Sequence, residues 1–391
     1  MDFHPLSDVL YEDSHMCDLK SDKRYPITGI YSFGRGLIKR PTIRGEETSY
    51  PRMAKLRSGQ VVMSKLNAWE GALAVVDDLF DGTFVSPEYP VFSVKEENAD
   101  IGYVRHMLAW HELWNRLTPR GSMVRRKRTT PATLLATEVP LPDLDEQRRI
   151  SEKLDAALHR QVNAFSTATS RAELVLAAID SREAQIFERG LKGGWDLKPL
   201  NEVADVNPRT KRPEGKEVVA FIPMAAVSGI TGTVEKPESV AASDVGSGYK
   251  AFRRNDVIFA RITPCMQNGK SAVFQDGTSE YGFGSTEFHV IRPRGAVDSR
   301  WIHRIVRSRN FREAAALHMT GTAGQQRVPA KYLQNVQIPI PGSIDQQREA
   351  IKELDDLQRV RLRFSALHNA QLDDLKSLRP AILNAAFSGR L

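Results

Sequence analysis

Hydrophobic spacing divides the chain into two kinds of stretch, and each kind occurs twice. Over residues 147–187 apolar side chains recur every three or four positions: Ile150, Leu154, Leu158, Val162, Phe165, Ala172, Leu176, Ile179 and Ile186. The spacing returns in Ile351, Leu354, Leu357, Phe364, Leu367, Leu372, Leu375, Leu378 and Ile382. That period marks one face of an α-helix. Apart from Pro380, neither stretch holds Gly or Pro before its far end. Pro142 and Pro341 stand just upstream, Asp143 or Asp145 and Ser343 or Asp345 are candidate N-caps, and Gly190 and Gly389 are candidate stops. A helix of some 41 residues would run roughly 60 Å and needs a partner for its apolar stripe. Each helix is the obvious partner for the other, as an antiparallel coiled-coil pair. A helical hairpin inside one domain is the alternative, which the length disfavours.

The remaining stretches read as mixed α and β. Short β-rich runs, VVMSKL, ALAVVD and YPVFSV in the first and VVAFIPM, DVIFARI, SAVFQ and EFHVIRP in the second, are separated by Gly, Asp and Pro. Each stretch also predicts one helix, near 101–117 and near 298–318. The expected fold class is α+β, with a twisted, mostly antiparallel sheet in each of two mixed α/β domains separated by the long helices. The domain boundaries fall at 1–142, 143–192, 193–341 and 342–391.

The two halves are an internal repeat. Pro140-Leu141-Pro142 returns as Pro339-Ile340-Pro341, and Asp145-Glu146-Gln147-Arg148 as Asp345-Gln346-Gln347-Arg348. Phe187 to Leu191 returns as Phe387 to Leu391. Weaker echoes pair Pro5 to Val9 with Pro199 to Val203, Val61 to Lys65 with Val257 to Arg261, and Phe84 to Tyr89 with Phe283 to Phe288. The offset drifts from 194 to 200 before the Pro-x-Pro and is constant after it. Loops absorb insertions cheaply, whereas one residue added to a helix rotates everything beyond it by about 100°. The repeat is therefore pseudo-twofold, and residue 391 should lie near Pro5 as Leu191 lies near Pro199.

Composition narrows the function. The chain has 391 residues, 41% hydrophobic and 26% charged, which fits a globular protein of two or three domains. No apolar run approaches a membrane span and the first residues do not read as a signal peptide, so no membrane association is expected. Cys17 and Cys265 are the only cysteines, which suits a reducing, cytoplasmic setting. The net charge of +7 resides in residues 191–342, with 21 basic and 14 acidic groups; the other segments carry +1, −2 and +1. No GxGxxG, HExxH or GxSxG motif occurs, and Pro264 to Ser271 lacks the first glycine of a phosphate-binding loop. No cofactor, metal site or catalytic residue is expected.

Two loops in each half are candidate DNA contacts. One holds Lys65, Asn67 and Trp69 in the first half, and Arg261, Thr263, Gln267, Asn268 and Lys270 in the second. The other holds Arg125, Arg126, Lys127 and Arg128, matched by Gln325, Gln326, Arg327 and Lys331. Adjacent cations favour phosphate, and Gln and Arg can read purine edges bidentately. Arg253 and Arg254, with Arg292, Arg294 and Arg304, are candidate phosphate contacts. An enzyme with an unfamiliar site and a coiled-coil protein adaptor remain the competing classes.

The duplicated junctions at Pro140–Arg149 and Pro339–Arg348, the helix after each and the matched ends resemble the specificity subunits of type I restriction–modification systems. The resemblance covers the whole chain. It implies two target-recognition domains that read the halves of a split, asymmetric double-stranded DNA target, with the helices as spacer. It also implies that two methyltransferase subunits and the restriction (translocase–nuclease) subunits supply the catalysis. Asp345-Gln346 departs from the family's acidic residue before Gln.

Overall fold

The computed structural model describes residues 2–117, 128–213, 215–275, 279–322 and 324–391. It forms two compact units, Met1–Ala168 with Gln371–Leu391, and Thr169–Ala370. Both combine helix and sheet, and the division falls inside the two long helices, Leu144–Lys192 and Ile344–Phe387.

The first unit is built on an antiparallel sheet in which Leu10–Glu12, Val91–Val94, Val61–Met63 and Leu73–Val75 lie side by side. The second unit repeats that order with Ala204–Val206, Phe288–Pro293, Val257–Ala260 and Ser271–Val273. The central strands Val61–Met63 and Val257–Ala260 are unbroken apolar runs because both faces are covered. Val61 and Met63 pack with Tyr103 and Met107, whereas Val62 between them joins Ala54, Leu56 and Val85. Val257 and Phe259 likewise pack with Trp301 and Ile302, and Ile258 and Ala260 with Phe252 and Ala220. This is the two-residue alternation of a strand feeding two cores. In the second unit Val218–Ile222 pairs in parallel with Tyr281–Gly284, while the other strand pairs among the described residues are antiparallel.

Each helix expected near 101–117 and 298–318 is two helices: Ile101–Leu108 with His111–Arg116, and Ser299–Arg307 with Arg309–Leu317. At the second break the Ser308 hydroxyl donates to the Ile305 carbonyl at 2.8 Å and accepts the Phe311 N–H at 3.3 Å. A serine that bonds backbone on both sides offers the chain an alternative to continuous helix.

The long helices pass antiparallel within each unit. In the first, Gln161 Nε2 donates to the Leu375 carbonyl at 2.7 Å. In the second, Arg189 Nη2 donates to both Glu353 oxygens at 2.7 and 2.8 Å, and Arg361 pairs with Asp180. The apolar seam is shorter than expected. Ile150, Leu154, Leu383 and Phe387 are spent in the first globular core, and Ile186, Ile351 and Leu354 in the second. Val162, Leu367 and Leu378, expected on the seam, are exposed. The apolar ends of these helices thus serve their own globular units more than a helix–helix zipper. Leu391 packs against the hydrophobic core of the first unit, the core that also contains Leu6 and Val9.

The repeated Gln-Arg junction has a structural purpose. Gln147, 1% exposed, accepts the Asp100 N–H at 3.0 Å and donates to the carbonyls of Asn98 (3.1 Å) and Pro142 (2.9 Å). Gln347, 2% exposed, accepts the Asp298 N–H at 2.9 Å and donates to the Ala296 carbonyl at 3.0 Å. Asp100 and Asp298 are the N-caps of the following short helices, accepting the N–H of Tyr103 and Arg300. One amide therefore locks the head of each long helix to the cap of a core helix. A second lock sits beside it, where Tyr103 Oη donates to the Pro140 carbonyl at 2.8 Å and Trp301 Nε1 to that of Pro339 at 2.9 Å. Replacing Gln347 with Ala strands a buried N–H and a carbonyl. Denaturant unfolding should show the second unit destabilised by about 2–5 kcal/mol; a loss below about 0.5 kcal/mol would mean that the lock is dispensable.

Candidate nucleic-acid interface

In the second unit the two candidate loops converge on one carboxylate. The loop Arg261–Lys270 leaves the strand Val257–Ala260, and the chain from Thr320 to Lys331 returns beside it. Val328 N–H donates to the Arg261 carbonyl at 2.8 Å and Thr263 N–H to that of Gln326 at 3.0 Å. Glu287 lies beneath both loops. It accepts Arg261 Nε at 3.1 Å and Arg327 Nε and Nη2 at 2.8–3.2 Å, while its carbonyl accepts the Arg261 N–H at 2.9 Å. Hydrogen bonds from Arg327 chiefly, and from Arg261, hold the Glu287 carboxyl below its ordinary range. Two guanidinium groups on one carboxylate leave a net positive charge at the joint.

The first unit repeats this joint with other residues. Thr129 N–H donates to the Lys65 carbonyl at 2.8 Å, Lys65 N–H to the Glu88 carbonyl at 3.0 Å, and Arg128 pairs with the Glu88 carboxylate. Lys65 takes a different course from Arg261, with Nζ on the Pro87 carbonyl at 2.7 Å. Asn67 Nδ2 donates to Glu70 at 3.0 Å, and Trp69 Nε1 to the Leu66 carbonyl at 2.8 Å. Arg125, Arg126 and Lys127 lie outside the described residues.

Of the remaining candidates, Gln267, Asn268, Gln325 and Lys331 are exposed and Gln326 half-buried, so their side chains are open to a ligand. Lys270 Nζ donates to the Met224 carbonyl at 2.9 Å, and Thr263 Oγ1 is buried without a hydrogen-bond partner. The arginines expected on phosphates are mostly paired within the fold. Arg292 binds Asp256 bidentately at 2.7 and 2.8 Å, Arg254 meets Glu280 at 3.2 Å, and Arg294 and Arg304 pair with Asp205 and Asp355. Charge alone cannot distinguish these arginines from free ones, because their acidic partners are far away in sequence. Arg253 is exposed, and its guanidinium makes no hydrogen bond or ion pair among the described residues.

Residues that sequence reasoning passed over hold the site in place. Glu88 and Glu287 align in the repeat, but an acidic residue gave no sign of a role at an anion-binding surface. His289 is another. Its Nε2 faces the Val328 carbonyl at 2.8 Å and its Nδ1 faces Asn207 Nδ2 at 2.9 Å, while Asn207 Oδ1 accepts the Val290 N–H at 3.1 Å. This pairing requires the neutral ring with its proton on Nε2. Burial pushes the His289 pKa down to about 4, and burial pushes His303 down to about 3. No group of three or more metal-ligating side chains occurs among the described residues.

No protein-family model matches the chain. Over 173 residues, 44% of its length, it is 34% identical to the EcoAI type I restriction enzyme specificity subunit of Escherichia coli. Over 169 residues it is 32% identical to the EcoEI specificity subunit of the same organism. These matches span only 29% and 28% of the two relatives. Among solved structures, the fold matches a chain from work on complex assembly and conformational transition of the type I R-M system, with a TM-score of 0.76 at 21% identity, covering 100% of this chain and 98% of that one. It also matches the HsdS subunit from Thermoanaerobacter tengcongensis, with a TM-score of 0.61 at 21% identity, covering 100% and 97%.

The buried histidines predict acid sensitivity. An unfolded imidazole takes a proton near pH 6.5, whereas folded His289 stays neutral until about pH 4. The unfolded state therefore binds more protons across that window, and stability is lost as pH falls through it. Melting temperature should drop from pH 7 to 5, and His289→Gln, which retains an amide N–H for Val328, should flatten part of the decline. Parallel pH profiles for parent and variant would refute this assignment.

Proposed function

We propose that this chain, a homologue of the specificity subunits of type I restriction enzymes, is the DNA-reading and scaffolding component of such an enzyme and is not itself catalytic. One observation carries the reading. Each unit joins two loops by the same backbone bond, Thr129 to Lys65 and Val328 to Arg261, above equivalent residues Glu88 and Glu287. Yet the side chains displayed on those loops differ. A repeated scaffold with unlike surfaces is suited to two unlike half-sites, so the target is bipartite and asymmetric. Asn67 in the first unit, and Gln267, Asn268, Gln325 and Gln326 in the second, are the base readers. Amide and guanidinium side chains suit the major-groove edges of purines, while cations such as Lys331 and Arg253 take phosphates. A continuous helix, Leu144–Lys192, and not a flexible linker, connects the two readers. A constant gap between the half-sites is part of this proposal.

In this reading the chemistry belongs to companions. Two methyltransferase subunits dock on the duplicated junctions, restriction subunits join that core, and the assembly works in the cytoplasm. No helix among the described residues is long and apolar enough to cross a membrane.

Purified chain should bind duplex DNA with an affinity that falls steeply with salt, about 0.9 logarithmic units per tenfold salt for each phosphate neutralised. Alone, with Mg²⁺ and S-adenosylmethionine, it should neither methylate nor cleave. Salt-independent binding would favour a protein adaptor, and robust turnover by the isolated chain would favour an enzyme.

A further inference from the structure

Beside each candidate reading loop stands a small hairpin whose tip exposes a large apolar side chain. In the first unit Ile30 pairs with Leu37 and Tyr31 N–H donates to the Gly36 carbonyl at 2.9 Å. In the second, Val227 pairs with Val234 and Ser228 N–H donates to the Thr233 carbonyl at 3.0 Å. The connections have equal length, and aligning them places Phe33 opposite Ile230. These side chains are 64% and 71% exposed. Nothing in either hydrophobic core uses them.

The tips are fixed to the loops. Phe33 N–H donates to the Glu70 carbonyl at 2.7 Å and Gly34 N–H to that of Gly71 at 3.1 Å. Ser32 Oγ and Asn67 Nδ2 both reach the Glu70 carboxylate. In the second unit the backbones of Gly229 and Asn268 are so close that a Cβ on Gly229 would lie 2.3 Å from the Asn268 carbonyl. Phe33 also has φ +64°, a left-handed conformation that costs a bulky residue free energy and here aims the ring into solvent.

Both tips have cationic surroundings. The Arg35 guanidinium lies 4.7 Å from the Tyr31 ring centroid and 5.9 Å from that of Phe33. Arg307 donates to the carbonyls of Ile230 and Gly229 at 3.0 and 3.3 Å. Ile230 borders a cavity of about 260 Å³ lined by five arginines, Arg304, Arg307, Arg309, Arg312 and Arg361, against two carboxylates, Asp180 and Glu183, with Arg304, Arg309 and Arg361 in ion pairs. An apolar point beside a surface with an excess of guanidinium over carboxylate groups suits a polyanion with apolar bases between its charges.

We infer that Phe33 and Ile230 are DNA-contacting tips, one per unit, that press against thymine methyls or a partly opened base step while the nearby arginines meet flanking phosphates. This inference rests on the DNA-reading function proposed above. It adds a contact that carries no charge and makes no hydrogen bond to a base.

The test uses the full chain and a duplex recovered by the parent protein from a randomised pool. Phe33→Gly removes the ring and suits the left-handed backbone, so it should melt no lower than the parent. Ile230→Ala trims the other tip. Each variant should raise Kd for the recovered duplex about fivefold or more, and the dependence of log K on log salt should keep its slope because no cation is lost. Arg35→Gln should instead flatten that slope by about one. Unchanged Kd in both tip variants overturns the inference. So does intact DNA binding with loss of a co-purifying protein, which would make the tips a protein-docking surface. If the parent chain itself fails to bind duplex DNA in a salt-dependent way, the DNA-reading function is lost before the tips are in question.

Discussion

A single buried amide at the head of each long helix holds the molecule's design together. Gln147 and Gln347 satisfy backbone groups at the caps of the short core helices, so neither long helix can rotate or slide against its globular unit without stranding buried polar atoms. The lock sits where the offset of the repeat stops drifting. It also gives each globular unit a defined orientation on the head of its long helix.

On that frame the two units solve one problem with different residues. The joint between the candidate reading loops is carried by Arg128 and Glu88 in one unit, and by Arg261, Arg327 and Glu287 in the other. The contact between core helix and long helix is His106 with Asp155 in one, at 2.8 Å, and Arg304 with Asp355 in the other. Burial lowers the His106 pKa although Asp155 opposes it. Common backbone geometry with divergent side chains is what duplication followed by separate selection on each half would leave.

Much of this architecture was legible in the sequence, for reasons that differ by element. The long helices announced themselves through Ile150, Leu154, Ile351 and Leu354, because a three–four period sustained over that length fits a helix face and little else. The strands VVMSKL and DVIFARI were visible as apolar runs. The breaks at Trp110 and Ser308 were not, since a serine inside a helical pattern does not reveal that it caps, and Trp110 makes no side-chain cap bond that could have marked the break. The seam was overestimated at Val162, Leu367 and Leu378, because periodicity shows a face without showing what covers it. The arginine sites were the least legible. Arg292, Arg294 and Arg304 have carboxylate partners 36, 89 and 51 residues away, so tertiary structure alone separates an internal ion pair from a candidate phosphate contact. Phe33 escaped notice because its significance lies in a backbone angle and in exposure.

The central claim is that two unlike readers engage two unlike half-sites at one fixed separation. Mapping methylated bases across the source genome, with and without this chain, tests it most directly. One motif should disappear on deletion, with two different specified halves and a gap of constant length. A palindromic motif, an uninterrupted one, or a gap that varies from site to site would contradict it.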